Sequence, residues 1–159
     1  MKITILSVGQ IKEKYFIDAI DEYEKRISKY AKVENITVKD SAISKADTDK
    51  EINIIKDEEG KRIIERIPEG AYKIVLDLKG KELDSVELSQ KMSDIFLRNS
   101  SHIVFIIGGS LGLSNEVLSL ADYHLCFSKM TFPHKLMKLI LLEQVYRSFK
   151  IINNETYHK

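Results

Sequence analysis

Residues 103–116 read IVFIIGGSLGLSNE. A run of Ile, Val and Phe stops at Gly108 and Gly109, Gly112 follows, and then comes a helix start. Strand, glycine turn and helix in this order can bring backbone N–H groups up to a phosphate. The spacing fits neither phosphate motif. The dinucleotide fingerprint is GxGxxG after a first strand and the phosphate loop is GxxxxGK[ST], whereas GKR at 60–62 and GKE at 80–82 lack both the upstream glycine and the hydroxyl residue. Taken alone, the glycines read as a tight turn that supplies φ > 0. A second stretch, FSKMTFPH (127–134), is irregular before Pro133, yet only Lys129 in it is charged. An apolar, backbone-rich loop suits a flat, uncharged ring such as adenine, with N–H and C=O on the ring edge and Leu, Met and Phe over its faces. A third set is the terminal Tyr157, His158 and Lys159, a phenol and an imidazole that can move a proton but that by type alone read as a frayed tail. His134 reads as a helix start, His102 and His124 begin strands and receive no role, and Cys126 reads as a small buried residue.

These groups need elements to hold them. ITILSVG (3–9) reads as a buried strand ending at Gly9. Ile11, Tyr15, Phe16, Ala19, Ile20, Tyr23, Ile27 and Tyr30 recur at steps of three and four and predict a helix over 11–30. VENITV (33–38) alternates as a strand, 40–47 is polar and loop-like, and a second helix runs to Ile67 with Gly60 as a weak point. YKIVLDL (72–78) is a third strand. Asp84 and Glu87 have the spacing of a capping box for a helix to about Arg98. HIVFII (102–107) and YHLCF (123–127) complete the strands. The last helix, His134 to Ile151, carries apolar residues on every side of the wheel, which predicts burial in its own core or a partner's; the expectation is a subunit interface. Strands alternating with helices predict one α/β domain over 1–159, with a mostly parallel sheet of five to six strands flanked by helices. Ligands in such sheets sit beyond the strands' C-terminal ends, here Leu76–Lys79, Ile107–Gly109 and Phe127–Lys129.

The 159 residues match one domain. A single cysteine rules out a disulfide within the chain and removes zinc ribbons and CxxC redox motifs. The N-terminal MKITILSVGQ has too short an apolar run for a signal peptide, and no stretch approaches a membrane span; a cytoplasmic protein with no membrane and no metal partner is expected. Net charge is only +1, but six Lys/Arg and two Glu fall within 129–159. Lys129, Lys135, Lys138, Arg147, Lys150 and Lys159 are therefore the phosphate-facing set if RNA is bound.

FIIGGSLGL, FSKMTFPH, EQVYRSFKI and the terminal YHK together resemble the ribosomal RNA large-subunit methyltransferase H family, small enzymes of the SPOUT or α/β-knot class. The resemblance runs the whole chain. It implies a C-terminal segment threaded into a deep trefoil knot, a homodimer, and transfer of a methyl group from S-adenosyl-L-methionine to N3 of a pseudouridine in 23S ribosomal RNA of the assembled ribosome. By resemblance, cofactor contacts fall at Leu76, Gly108, Phe127, Ser128, Lys129, Met130, Thr131 and Phe132, and His158 and Tyr157 are the catalytic candidates. Gly108 and Gly109 would then matter because a side chain there meets the cofactor. This chain departs from the family's pattern at Lys138, where Arg is usual, at Asp84 and Ser85, where two serines are usual, and at NNETYHK, where the usual tail is Gly-x-Pro-Tyr-His. The alternative readings are a non-catalytic ribosome-associated RNA-binding factor with the same fold, and a nucleotide-dependent oxidoreductase, against which the missing GxGxxG counts.

Overall fold

The computed structural model describes residues 1–41 and 48–158, so most of the polar 40–47 stretch, and Lys159, lie outside the described residues. Ten elements follow in order: β1 (Lys2–Val8), α1 (Lys14–Ile27), β2 (Lys32–Val38), α2 (Asp49–Ile64), β3 (Tyr72–Glu82), α3 (Ser85–Arg98), β4 (His102–Ile107), α4 (Asn115–Leu120), β5 (Tyr123–Cys126) and α5 (His134–Ile152). The strands form one five-stranded sheet in the order β2-β1-β4-β3-β5, and every pairing is parallel. This is the expected α/β sheet, with five strands.

Side chains of β1 and β4 alternate between two cores, as a strand buried on both faces requires. Ile3, Ile5, Ile103, Phe105 and Ile107 meet α1, α3 and α5 on one face. Leu6, Val8, Val104 and Ile106 meet Ile63 of α2 and Val117 of α4 on the other. Helix α5 lies between α1 and α3, with Met137, Leu141, Leu142, Val145 and Phe149 buried. Phe149 stacks on Tyr30 at 5.5 Å and on Phe96 at 6.1 Å. The apolarity of α5 is thus largely met inside its own chain, and a subunit interface is not needed to explain it. Gly60, expected as a weak point, is a contact: a Cβ there would stand 2.2 Å from Ser114 Oγ, so glycine lets α2 close onto the start of α4.

Two local devices position the site. Asp84 and Glu87 form the expected capping box, with Glu87 N–H donating to Asp84 Oδ1 at 2.7 Å and Asp84 N–H to Glu87 Oε2 at 2.8 Å, a motif whose cap alone contributes about 1 kcal/mol. Strand β3 is longer than expected and irregular. Leu76 and Lys81 both register with Leu125, so residues 77–80 leave the ladder between them. That bulge turns Asp77 and Leu78 to the rim of the cavity described next.

Candidate functional site

The C-terminal ends of β3, β4 and β5 open into a cavity of about 880 Å³, within the range of small-molecule sites. Leu76, Gly108, Phe127, Ser128, Met130, Thr131 and Phe132 of the expected cofactor set all line it. Lys129 does not: it is exposed and stands off the wall. The loop 127–133 lies outside every helix and strand, turned by Met130 N–H donating to Ser128 Oγ at 3.0 Å. Met130 is 72% exposed at the mouth, and Leu78 is also exposed.

The glycine loop forms the opposite wall. Gly112 holds φ +87° and its N–H donates to Gly109 O at 3.0 Å. The loop's own packing adds a reason for Gly108 and Gly109 to the expected one. A Cβ on Gly108 would stand 2.9 Å from the carbonyl carbon of Gly112, and one on Gly109 would stand 2.9 Å from Glu59 Oε2. The loop's own backbone thus excludes a side chain at Gly108 before any ligand enters, whereas at Gly109 the neighbour is the end of the Glu59 side chain, which can give way.

Sequence reasoning missed two features. Asp77 is the one Asp, Glu, Lys or Arg on the cavity wall among the described residues. Its Oδ2 lies 2.9 Å from His124 Nδ1 and its Oδ1 accepts the Lys79 N–H at 3.0 Å. Burial opposes its ionisation, but the Lys79 N–H and His124 outweigh that, and its pKa stays below the ordinary carboxylate value. His124 was given no role because only the fold brings β5 beside β3. His134 does start α5, as expected, but it also lines the cavity. Its Nε2 is buried without a hydrogen-bond partner among the described residues, and burial, then Lys135, hold its imidazole below the usual pKa.

Tyr157 and His158 stand elsewhere. Tyr157 O–H donates to Glu143 Oε1 at 3.2 Å, its ring packs on Tyr146 at 4.9 Å, and the Arg147 guanidinium lies 4.7 Å from its centroid. Arg147 Nη2 donates to Glu143 Oε1 at 2.6 Å, and Nη1 lies 3.4 Å from His158 Nδ1. Burial, then the Glu143 charge, push the Tyr157 phenol up to about 12. Neither residue lines the cavity. Glu143 comes nine residues after His134, roughly 14 Å along the helix axis. One chain therefore does not bring the tail to the cavity.

The expected RNA set is mostly occupied. Lys135 pairs with Glu13, Arg147 with Glu143 and Lys150 with Glu155. Lys138 needs correction: it is 5% exposed inside the helix layer, where burial lowers its pKa against the opposing charge of Glu24, so it does not present a cation to RNA from this chain's surface. Cys126 is buried, as expected, with Sγ donating to Ser128 O. No helix among the described residues is long and apolar enough to cross a membrane, and they hold no metal-binding group of three or more His, Cys, Asp or Glu.

Residues 1–158 match the family model described as "Predicted SPOUT methyltransferase". The chain is 54% identical over 159 residues to proteins named ribosomal RNA large subunit methyltransferase H from Alkaliphilus oremlandii and from Clostridioides difficile, with all of each chain covered. Among solved structures it is similar to a tRNA (m1G37) methyltransferase from Aquifex aeolicus, with TM-score 0.54, 14% identity, and coverage of 92% of this chain and 70% of that one. A probable methylase family protein from Haemophilus influenzae gives TM-score 0.51 at 11% identity, covering 99% of this chain and 70% of the other. At those identities the two structures speak for the fold alone.

Proposed function

The chain belongs to the SPOUT methyltransferase family, and on that premise we propose that it is an S-adenosyl-L-methionine-dependent methyltransferase of large-subunit ribosomal RNA, cytoplasmic, acting as a homodimer on N3 of a pseudouridine in the assembled ribosome. The observation that carries the reading is full-length identity above half to proteins named ribosomal RNA large subunit methyltransferase H; the position methylated comes from the family resemblance. The cavity suits the cofactor. Its apolar wall of Leu76, Ile107, Leu125, Phe127 and Met137 fits an adenosyl group, and the ionised Asp77 faces a ligand that is cationic at sulfur and at its amino group. Bound there, the cofactor supplies a methyl group already activated on sulfonium.

The chain's own residues then have limited work. The 127–133 loop and the glycine turn hold the donor and keep water from it, and positioning supplies much of the rate of such a transfer. The acceptor imide must lose a proton. A phenol held neutral to about 12 is a hydrogen-bond donor at neutral pH, not a base, so of the two tail residues that the family resemblance points to, His158 is the one we assign as acceptor of that proton. A catalytic group must come within hydrogen-bond reach, and the tail of the same chain is too far from the cavity. That separation supports the homodimer of this reading, in which the tail of one subunit completes the cavity of the other. We also read the C-terminal segment as threaded through the preceding loop, the arrangement the family resemblance implies.

The test is transfer of labelled methyl from S-adenosyl-L-methionine to ribosomes from cells lacking this gene, with the product nucleoside identified by mass spectrometry. Label on N3 of a pseudouridine is the expected result. Cofactor binding with no transfer to any ribosomal RNA would instead favour a binding factor with this fold.

A further inference from the structure

A second cavity, of about 640 Å³, opens at the C-terminal ends of β1 and β2. It is distinct from the donor cavity, but Gly109, Ser110 and His134 border both. Whatever occupies the second cavity therefore lies one residue's thickness from whatever occupies the first.

Its rim carries exposed cations. Lys12 and Lys39 are exposed there, and neither holds an ion pair among the described residues. Lys135, on the same rim, is spent on Glu13, and Asp40 adds one carboxylate. Lys12 and Lys39 outnumber Asp40 on this rim, and neither ammonium is paired among the described residues. The floor is polar. Glu59 is 4% exposed, with Oε1 accepting the Ser41 N–H at 2.9 Å and Oε2 turned to Gly109. The unpartnered His134 Nε2 lies in the dividing wall, against Gly9. Free cations at a mouth, hydrogen-bonding groups at a floor and a methyl donor next door describe a site for a nucleotide: phosphate outside, base within.

Resting on the methyltransferase reading, we propose that this second cavity holds a nucleotide of the substrate RNA, its phosphate between Lys12 and Lys39 and its base against the wall shared with the donor cavity. The site is on the subunit that binds the cofactor, so it is separate from the tail that the other subunit supplies.

The experiment compares wild type, Lys12→Ala/Lys39→Ala, Lys12→Arg/Lys39→Arg and Thr37→Trp, which crowds the cavity from the exposed side of β2, with Lys25→Ala/Lys29→Ala at the far end of α1 as control. Ribosome binding is measured by co-sedimentation across a salt series, cofactor binding by calorimetry, and methyl transfer as kcat and KM for ribosomes. The double alanine variant is expected to bind ribosomes about tenfold more weakly, with a salt slope shallower by about 0.7 for the one phosphate no longer neutralised, and with cofactor affinity within about twofold of wild type. KM rises and kcat holds. The arginine pair keeps the slope, Thr37→Trp loses kcat/KM for ribosomes but not cofactor, and the control changes nothing. An unchanged slope in the alanine pair, beside wild-type transfer, overturns the cleft and leaves the methyltransferase reading standing. Loss of slope with no transfer by any protein, wild type included, keeps the cleft and overturns that reading.

Discussion

A shared site between two copies makes a quantitative prediction. Thr131→Arg puts a bulky cation into the loop that lines the donor cavity, where a cationic cofactor would have to sit. His158→Ala removes the imidazole beside Arg147. Each variant alone should be inactive, since every site in its homodimer lacks either donor or tail. Mixed in equal amounts and allowed to exchange subunits, half of the dimers are mixed, and each mixed dimer holds one intact site of its two, formed from the cavity of the His158→Ala chain and the tail of the Thr131→Arg chain. Activity per chain should recover to about a quarter of wild type. The structural basis is the roughly 14 Å of helix between His134 at the cavity and Glu143, which anchors Tyr157. A site built within one chain gives no recovery at any ratio, because neither chain is then whole. The assay is labelled methyl transfer to ribosomes, with subunit exchange followed by mass-tagging one variant. Mixed dimers formed without recovered activity would refute the reasoning.

Two further outcomes follow from titrating groups. The Tyr157 phenol is held neutral to about 12, so Tyr157→Phe should lower kcat without altering the shape of the pH–rate profile between about 6 and 9, whereas a limb that vanishes with the hydroxyl would make it the base. Burial raises the pKa of Glu59 against the opposing Ser41 N–H, so its folded-state value stands above the unfolded one: the fold favours the protonated acid, and stability present below about pH 4 is lost as pH rises through the folded value. Glu59→Gln, measured by thermal unfolding, should therefore gain about 2 °C or more in Tm near pH 7 and nothing near pH 4.

Much of the frame was legible in the chain. β1 and β4 show as apolar runs because both faces are buried, and α3 shows through its capping box, because these are interactions among neighbours in sequence. The loop 127–132 was legible as a ligand wall because an irregular segment with one charge is unusual. The extension of β3 was not legible: the strand was expected to end at Leu78, whereas after the bulge Lys81 and Glu82 rejoin the ladder opposite Leu125 and Cys126 of β5. Nor was the fate of the basic residues. Spacing places Lys138 with Lys135, but helix phase buries the first between α1 and α5 and sets the second beside Glu13.

By itself the sequence determined the element order, the family, and the strand ends where a ligand would sit, since these depend on local pattern and on motifs read along the chain. Only the tertiary structure decided that Asp77 meets His124, that Gly109 packs against Glu59, that Tyr157 and His158 lie away from the cavity of their own chain, and that Lys12 and Lys39 face a second one. Each of these is a contact or a separation between residues far apart in sequence. Distances of that kind are set by how the helices pack across the sheet, and periodicity along one chain does not record them.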